Sequence, residues 1–458
     1  MIGEKGMSKR IALIGKNSIE YINNILHIWN DGNCVVLIDY RIPLQKAAEM
    51  MVEASVDSCY IEEDLLSDIN LFPGITLVTY SVREETASCL PEETKELYIA
   101  RYDRDEAIIL YSSGTTGKAK GIILSHYAIN TNADAILKYI QLNSDDCIYI
   151  VKSLTHSSTL VGELLVGLKS TIKIVIGSTF MPPRYTLKKM QKFNTTIICL
   201  NPTLLSLFSV EWARAGYHLP PLRSIYVSGS VLSVEICNKA RKVFKEIPIY
   251  NVYGLSEAGP RVSAQVQNHC TENSVGIPIS GVEIQIRSLQ GEKLPIGEIG
   301  IVYVKTESIF SGYVNHASTG VMEGWYCTKD LGCINSSDEL TIIGRTDDII
   351  VSGSHKIYPY DVEQVVLSIE EVTGCVVLGV KDIYFGERII CLYTSQHKKP
   401  ISSLSLVQSC KKRLSGYEIP QEWIHVTEIP FNHNGKIDRR TIEKNITKYM
   451  KENQNDKS

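Results

Sequence analysis

Near its amino end the chain shows an unbroken apolar run, "RIALIG". A stretch with apolar residues every three or four positions follows, "SIEYINNILHIWNDG", and then a second apolar run, "CVVLID". This pattern predicts a buried strand, an amphipathic helix ending at Gly32 and another buried strand, an order that implies a parallel α/β sheet. The unit recurs, with "EAIILYSS" and "TIKIVIGS" as strands and "YAINTNADAILKYI" and "PTLLSLFSVEWARAG" as helices. No repeat of fixed period is visible, which argues against a solenoid. From about Ser274 the texture changes to short alternating runs, "GVEIQIRS", "GEIGIVYVKT" and "ELTIIGR", separated by turn residues, the mark of antiparallel sheet. After "GRTDDIIVSGSHKIYPYDVEQVVLSI" the pattern is mixed again, with "GCVVLGVKD" and "RIICLYTS" as strands and a helical "SLVQSCKKRLS". The expectation is a large N-terminal domain of α/β sheets with an antiparallel β part, residues 1–345, and a small α+β C-terminal domain, residues 346–458. The polar "GRTDD" joins them, and the tail from Tyr449 is expected to fray.

The length, 458 residues, exceeds one ordinary hydrophobic core and supports more than one domain. Apolar residues at 44% and charged residues at 21% describe a globular chain, and a net charge of -4 lacks the basic excess of a nucleic-acid binder. Twelve cysteines are scattered with no C-x-x-C pair, so reduced thiols are expected rather than a zinc site or a disulfide framework. The first residues carry no long apolar core of a signal peptide, and no run reaches the length of a membrane span. A cytoplasmic protein is expected. Met7 is a second candidate start, since "MSKR" directly precedes the first strand.

Four stretches carry candidate chemistry. In "YSSGTTGKAKG", backbone N–H groups near Gly114 and Gly117, the hydroxyls of Ser112, Ser113, Thr115 and Thr116, and the charges of Lys118 and Lys120 suit a phosphate. A solvated turn has the same composition. Walker A spacing is absent, and no two glycines stand two apart, so the dinucleotide fingerprint is absent too. "NVYGLSEAG" nearly matches the G-x-S-x-G nucleophile elbow, with Ala258 where the second glycine belongs, and leaves a serine hydrolase as an alternative. In it Glu257 can bind a hard cation and Tyr253 can stack on a flat ring. Asp330 in "GWYCTKDLG" and Arg345 in "GRTDDIIVSG" suit a vicinal diol with a neighbouring phosphate, and Lys436 in "PFNHNGKIDRR" suits a developing negative charge. Solvated surface charges account for each of these equally well when taken singly.

In this order, "YSSGTTGKAKG", "NVYGLSEAG", "GWYCTKDLG", "GRTDDIIVSGSHKIYPYDVE" and "NGKIDRR" resemble the signature series of the adenylate-forming superfamily. That superfamily includes acyl-CoA and aryl-CoA synthetases, luciferases and peptide-synthetase adenylation domains. The resemblance implies an ATP- and Mg²⁺-dependent ligase that makes an acyl-adenylate and passes the acyl group to a thiol of coenzyme A or of a phosphopantetheinyl carrier protein. It makes residues Ser112 to Lys120 the loop over the ATP phosphates, with Gly114, Thr115, Thr116, Gly117 and Lys118 inside it. Asn251, Tyr253, Gly254 and Ser256 would line the adenine and α-phosphate region, with Glu257 and Thr115 as Mg²⁺ ligands. Asp330 would hold the ribose hydroxyls, with support from Arg345, and Asp347 would be the hinge of a mobile small domain. Lys436 would contact the carboxylate and the α-phosphate, and His156 in "SLTHSSTLVG" would line the acyl pocket.

The sequence departs from that family at Lys329, where the motif usually has glycine, at Ala119, where proline is common, and at Ser354 and Asp361, where glycine and glutamate are frequent. The segment that usually precedes "RIALIG" is missing, and a compact variant, a shortened gene model and an N-terminal domain completed otherwise are the alternatives. Amino-acid-activating members place an aspartate near His156, whereas this stretch has no acidic residue before Glu163, so a fatty or aromatic acid is expected. The alternatives are an amino-acid-activating enzyme and a nucleotide-binding regulatory protein of the same fold. The presence of both Glu257 and Lys436 favours turnover.

Overall fold

The computed structural model describes residues 8–82, 87–112, 120–179, 181–215, 218–267, 271, 273–316, 319–353, 355–431 and 437–455. Strands β1 (Arg10–Gly15) and β2 (Cys34–Asp39) pair in parallel across the helix α1 (Ile19–Asn30), as the apolar periodicity requires. Ser18 caps α1 by accepting the Tyr21 N–H at 3.0 Å, and Gly32, at φ +76°, carries the chain out of the helix through the left-handed region. Strand β3 (Glu106–Ser112) lies parallel to β2, and β4 (Lys120–Ser125) returns antiparallel to β3 with Ser112 opposite Lys120 as the last pair. The resulting seven-stranded sheet runs Gly312–Tyr313, β4, β3, β2, β1, Ser58–Glu62, Thr76–Tyr80.

Helix α2 (His126–Ile140) leads to a second sheet. Its strands β5 (Cys147–Ile150), β6 (Lys173–Gly177), β7 (Ile197–Leu200), β8 (Ser224–Val227) and β9 (Ile249–Gly254) are parallel, and β10 (Arg261–Ala264) turns back antiparallel to β9. The order is Ile277–Pro278, β10, β9, β8, β7, β5, β6, Ala87–Cys89. The chain therefore runs outward from β5 to β6 and then crosses back to lay β7 on the other side of β5. The carboxyl ends of β5 and β7 flank a topological switch point, the crevice where doubly wound sheets receive ligands. Between the two sheets, α1, α2 and the helical stretch 157–168 bury one continuous core that includes Leu13, Ile22, Ile129, Leu164 and Ile148.

The antiparallel part forms where the alternation predicts it, at Val282–Arg287, β11 (Gly300–Thr306) and β13 (Leu340–Arg345), while β12 (Trp325–Ile334), which the alternation does not mark, lies between β11 and β13 with Asp330 directly opposite Arg345. A single turn, Thr346–Asp348, then leads into a last sheet holding β14 (Val372–Asp382) and β15 (Gly386–Ser395), packed with α3 (Pro359–Leu367) and α4 (Arg439–Asn455). The expected fraying from Tyr449 is not found over the described residues. Helix α4 runs to Asn455, because Ile442, Ile446 and Tyr449 share the face that packs on Ile390 and Ile424. No described helix is long and apolar enough to cross a membrane.

Three strand starts of the second sheet are tied by one carboxylate. Asp146, before β5, accepts Arg223 Nε and Nη2 at 2.5 Å each, and Thr196 Oγ1 donates to it at 2.7 Å. Burial pushes this carboxyl up, but the Arg223 hydrogen bonds and the other donors outweigh it and hold it below the ordinary value. Such a group stabilises the fold above its unfolded pKa and loses that contribution as pH falls through the folded one. Asp146→Asn is expected to cost about 1–3 kcal/mol near neutral pH. Urea midpoints of the two proteins should converge at pH values below about 4.

Candidate functional site

The stretch "NVYGLSEAG" leaves the carboxyl end of β9 through a bulge, where the register with β10 shifts between Tyr253 and Gly254. A Cβ on Gly254 would lie 1.9 Å from the Pro260 carbonyl oxygen, so glycine alone lets this turn fold back on itself. Ser256–Ala258 make one 3-10 turn and the chain continues as β10. A nucleophile elbow needs a helix after the serine. Here an antiparallel strand follows, and the hydrolase alternative is set aside. Asn251 at the base of the turn is fixed on three sides: its N–H donates to Gln265 Oε1 at 2.8 Å, its carbonyl accepts Gln265 N–H, and its Nδ2 donates to the Ser274 carbonyl at 3.1 Å.

Asp330 and Arg345 meet across the β12–β13 pair, with Nη1 and Oδ1 3.4 Å apart. The Tyr253 hydroxyl donates to the other Asp330 oxygen at 2.5 Å, joining the β9 turn to the antiparallel sheet. Burial, and then the Asp330 charge, push the Tyr253 phenol well above its ordinary value, so it stays a donor. Lys329 stands next to Asp330 with φ +61°, in the left-handed region that explains why glycine is usual at this position. Its carbonyl accepts Thr346 Oγ1 at 3.2 Å, and its ammonium lies 3.9 Å from Asp347.

Glu257 is reached from the phosphate-loop side. Tyr313, opposite Ile122 on β4, donates its hydroxyl to Glu257 Oε1 at 2.9 Å and lies 3.0 Å from the Tyr326 hydroxyl. Lys120 sits over the Tyr313 ring at 5.1 Å. The Tyr313 phenol is pushed up to about 12 by burial and by the Glu257 carboxylate, with Arg345 close enough to oppose them. Glu257 Oε2 accepts no hydrogen bond among the described residues and is a hard donor oxygen. Ser113, Gly114, Thr115, Thr116, Gly117, Lys118 and Lys436 lie outside the described residues, as does the side chain of Ser112. Near Lys436, Arg439 is anchored to the Val377 carbonyl at 2.7 Å and to Glu363 at 2.6 Å.

His156 opens the helical stretch 157–168, its carbonyl accepting the N–H groups of Thr159 and Leu160. The loop before it is held by Asn17, which donates to the Lys152 carbonyl at 2.8 Å and accepts the Leu154 N–H at 3.0 Å. Nearby Asp39 is pushed up by burial but held below the usual carboxylate range by Arg41, with a smaller contribution from His156. Ser157 Oγ lies 2.8 Å from Ser256 Oγ, so the His156 loop and the β9 turn touch. The structure thus links Lys120 to Glu257 through Tyr313 and links Tyr253, Asp330 and Arg345 directly, with Ser256 beside Ser157. Sequence reasoning missed Tyr313, Ser157, Asn132 and Gln265, whose isolated hydroxyls and amides belong to no motif.

The model of the AMP-binding enzyme family matches residues 4–314, and that of the AMP-binding enzyme C-terminal domain matches residues 361–436. Acyl-CoA synthetase ALT10 of Alternaria alternata is 30% identical over 372 residues, covering 73% of this chain and 64% of that protein. Feruloyl-CoA synthase of Amycolatopsis sp is 23% identical over 433 residues, covering 93% and 87%. The fold matches ATP-bound MatB from Rhodopseudomonas palustris with a TM-score of 0.85 at 21% identity, covering 96% of this chain and 90% of that one. It also matches o-succinylbenzoate CoA synthetase from Bacillus subtilis, in complex with its acyl-adenylate, with a TM-score of 0.80 at 21% identity, covering 95% and 88%.

Two outcomes test this geometry. Tyr253→Phe, which releases Asp330, should raise KM for ATP about fivefold to tenfold with little change in kcat, read from steady-state kinetics. Lys329→Gly should stabilise the protein by about 1 kcal/mol through relief of the left-handed backbone, read as a higher thermal midpoint.

Proposed function

This chain belongs to the AMP-binding enzyme family and is an ATP-dependent ligase that activates a carboxylic acid, and we propose that the cleft between β4, β9 and β12 runs the reaction with coenzyme A as acyl acceptor. One observation carries the reading of the site: Tyr313 joins Lys120 at the base of the phosphate loop to Glu257, while Tyr253 joins the same turn to Asp330 and Arg345. Groups suited to phosphate, cation and ribose thereby line one continuous cleft. Coenzyme A is favoured over a carrier protein because the relatives are named as acyl-CoA and feruloyl-CoA synthases.

A carboxylate is a poor electrophile. In the first step its oxygen attacks the α-phosphorus of ATP and pyrophosphate leaves, giving a mixed anhydride. In the second step a thiolate attacks the carbonyl carbon and AMP leaves with the bond electrons. Residues 112–120 close over the phosphates and Lys120 adds positive charge at the base of that loop. Asp330, beside Arg345 and the Tyr253 hydroxyl, accepts the ribose hydroxyls. Glu257, with Thr115, fits Mg²⁺ by its hard donor oxygen, and the ion when bound offsets charge on the phosphoryl oxygens. Lys436 meets the carboxylate and α-phosphate as charge develops. Arg439 is bonded to Val377 and Glu363 within the small domain, residues 346–458, which turns about Asp347 to withdraw Lys436 before thiol attack. His156 and Ser157 face the acyl side.

Exchange of labelled pyrophosphate into ATP, measured over a panel of carboxylic acids, tests the reading. Exchange is expected with at least one acid, and none with any acid would sink it. Lys436→Ala should slow adenylation about a hundredfold to a thousandfold while ATP binding changes little. Unchanged adenylation would refute the role given to Lys436.

A further inference from the structure

Three charged side chains are buried at the switch-point crevice, and none of them has a part in handling the nucleotide. Lys152 follows β5, Glu163 lies on the helical stretch 157–168 and Arg261 opens β10. Lys152 Nζ is 3.0 Å from Glu163 Oε1, with the two side chains 11% and 1% exposed. Glu163 Oε2 is enclosed and has no hydrogen-bond partner among the described residues. Burial pushes the Glu163 carboxyl up, and Lys152 and then Arg261 act against that rise. Arg261 Nη1 donates to the Tyr139 hydroxyl at 2.7 Å, and its other terminal nitrogen occupies the space beside Gly162, where a Cβ would sit 3.1 Å from it. The backbone at Leu160–Leu165 is a π-helix, a rare winding that recurs at functional sites.

The sum of charge makes this cluster informative. Two cations face one carboxylate, and the adjacent Tyr139 and Cys199 are each pushed up to about 12 by burial, so neither supplies an anion near neutral pH. An enclosed excess of positive charge is costly unless something pairs with it. Ser157, which touches Ser256 beside the nucleotide turn, precedes Glu163 by six residues, so the cluster lies about 9 Å farther along the helical stretch. Lys152 is the outermost of the three groups.

We propose that Lys152 and Arg261, held across Glu163, form the far end of the acyl site and that the acid selected there carries a second carboxylate. This rests on the ligase reading above and names its substrate class. A wholly apolar tail would leave the cations facing hydrocarbon, and an ammonium tail would meet two like charges against one carboxylate.

The test measures pyrophosphate exchange by the full chain with matched acids: hexanoate, hexanedioate and 6-aminohexanoate, and benzoate against benzene-1,4-dicarboxylate. KM for the better diacid should be about tenfold to a hundredfold lower than for its monoacid, with the amino acid poorest. Lys152→Met keeps the length of the side chain and should erase that preference by raising KM for the diacid, with kcat and the monoacid KM little changed. Glu163→Gln keeps the shape and both cations, and should retain or enlarge the preference. The wild-type comparison and Glu163→Gln remain decisive if Lys152→Met does not fold. A wild-type preference for monoacids or for the amino acid overturns the inference, as does a diacid preference that survives Lys152→Met or is lost in Glu163→Gln. Exchange with monoacids and no diacid advantage defeats this inference alone. Absence of exchange with every acid defeats the ligase reading with it.

Discussion

The position of the turn between β9 and β10 depends on one buried amide. Asn132, fully enclosed on α2, accepts the Arg261 N–H at 2.9 Å and donates to the carbonyls of Arg261 and Ala258 at 2.9 and 3.3 Å. The turn between β9 and β10 has left the sheet and has no ladder of its own there, so its backbone groups need such a partner. Helix α2 starts where β4 ends, and β4 closes the hairpin that carries the phosphate loop. A single helix therefore sets the distance between that loop and the turn that bears Ser256 and Glu257.

Around this fixed point two phenol hydroxyls hold the carboxylates, in addition to the Asp330–Arg345 ion pair. Tyr313 lies between Lys120 and Glu257, and Tyr253 reaches Asp330 from the opposite side. Phenols suit this task because burial raises their pKa and keeps them neutral donors near carboxylates. The phenol hydroxyls orient one oxygen of each carboxylate. Direct contact with lysine would instead neutralise the charge that a cation or a ribose needs to meet.

Lys329 shows what the chain tolerates at the edge of this arrangement. A left-handed backbone at a residue with a Cβ costs about 1–2 kcal/mol, and here it coincides with an ammonium near Asp347 and a carbonyl bonded to Thr346. The strained residue thus sits where the large sheet hands over to the last sheet. Strain of this kind gathers at sites whose geometry is fixed by their surroundings.

The sequence by itself determined the elements and much of the chemistry. Apolar periodicity marked α1 and its flanking strands, alternation marked β11 and β13, and Gly32 marked the end of α1, because these signals depend only on neighbours along the chain. The order of the motifs also carried Glu257, Asp330, Arg345 and Lys120 as candidates. The reach of α4 to Asn455 was not legible, since its polar composition hid the face that packs on Ile390 and Ile424. Nor were Tyr313, Asn132 and Ser157, whose partners lie 56, 129 and 99 positions away. Only the tertiary structure decided these pairings, and only it enclosed Lys152 and Arg261 with Glu163. Hydrogen bonds and burial act through space, whereas a sequence pattern records only what lies within a turn or a strand's length.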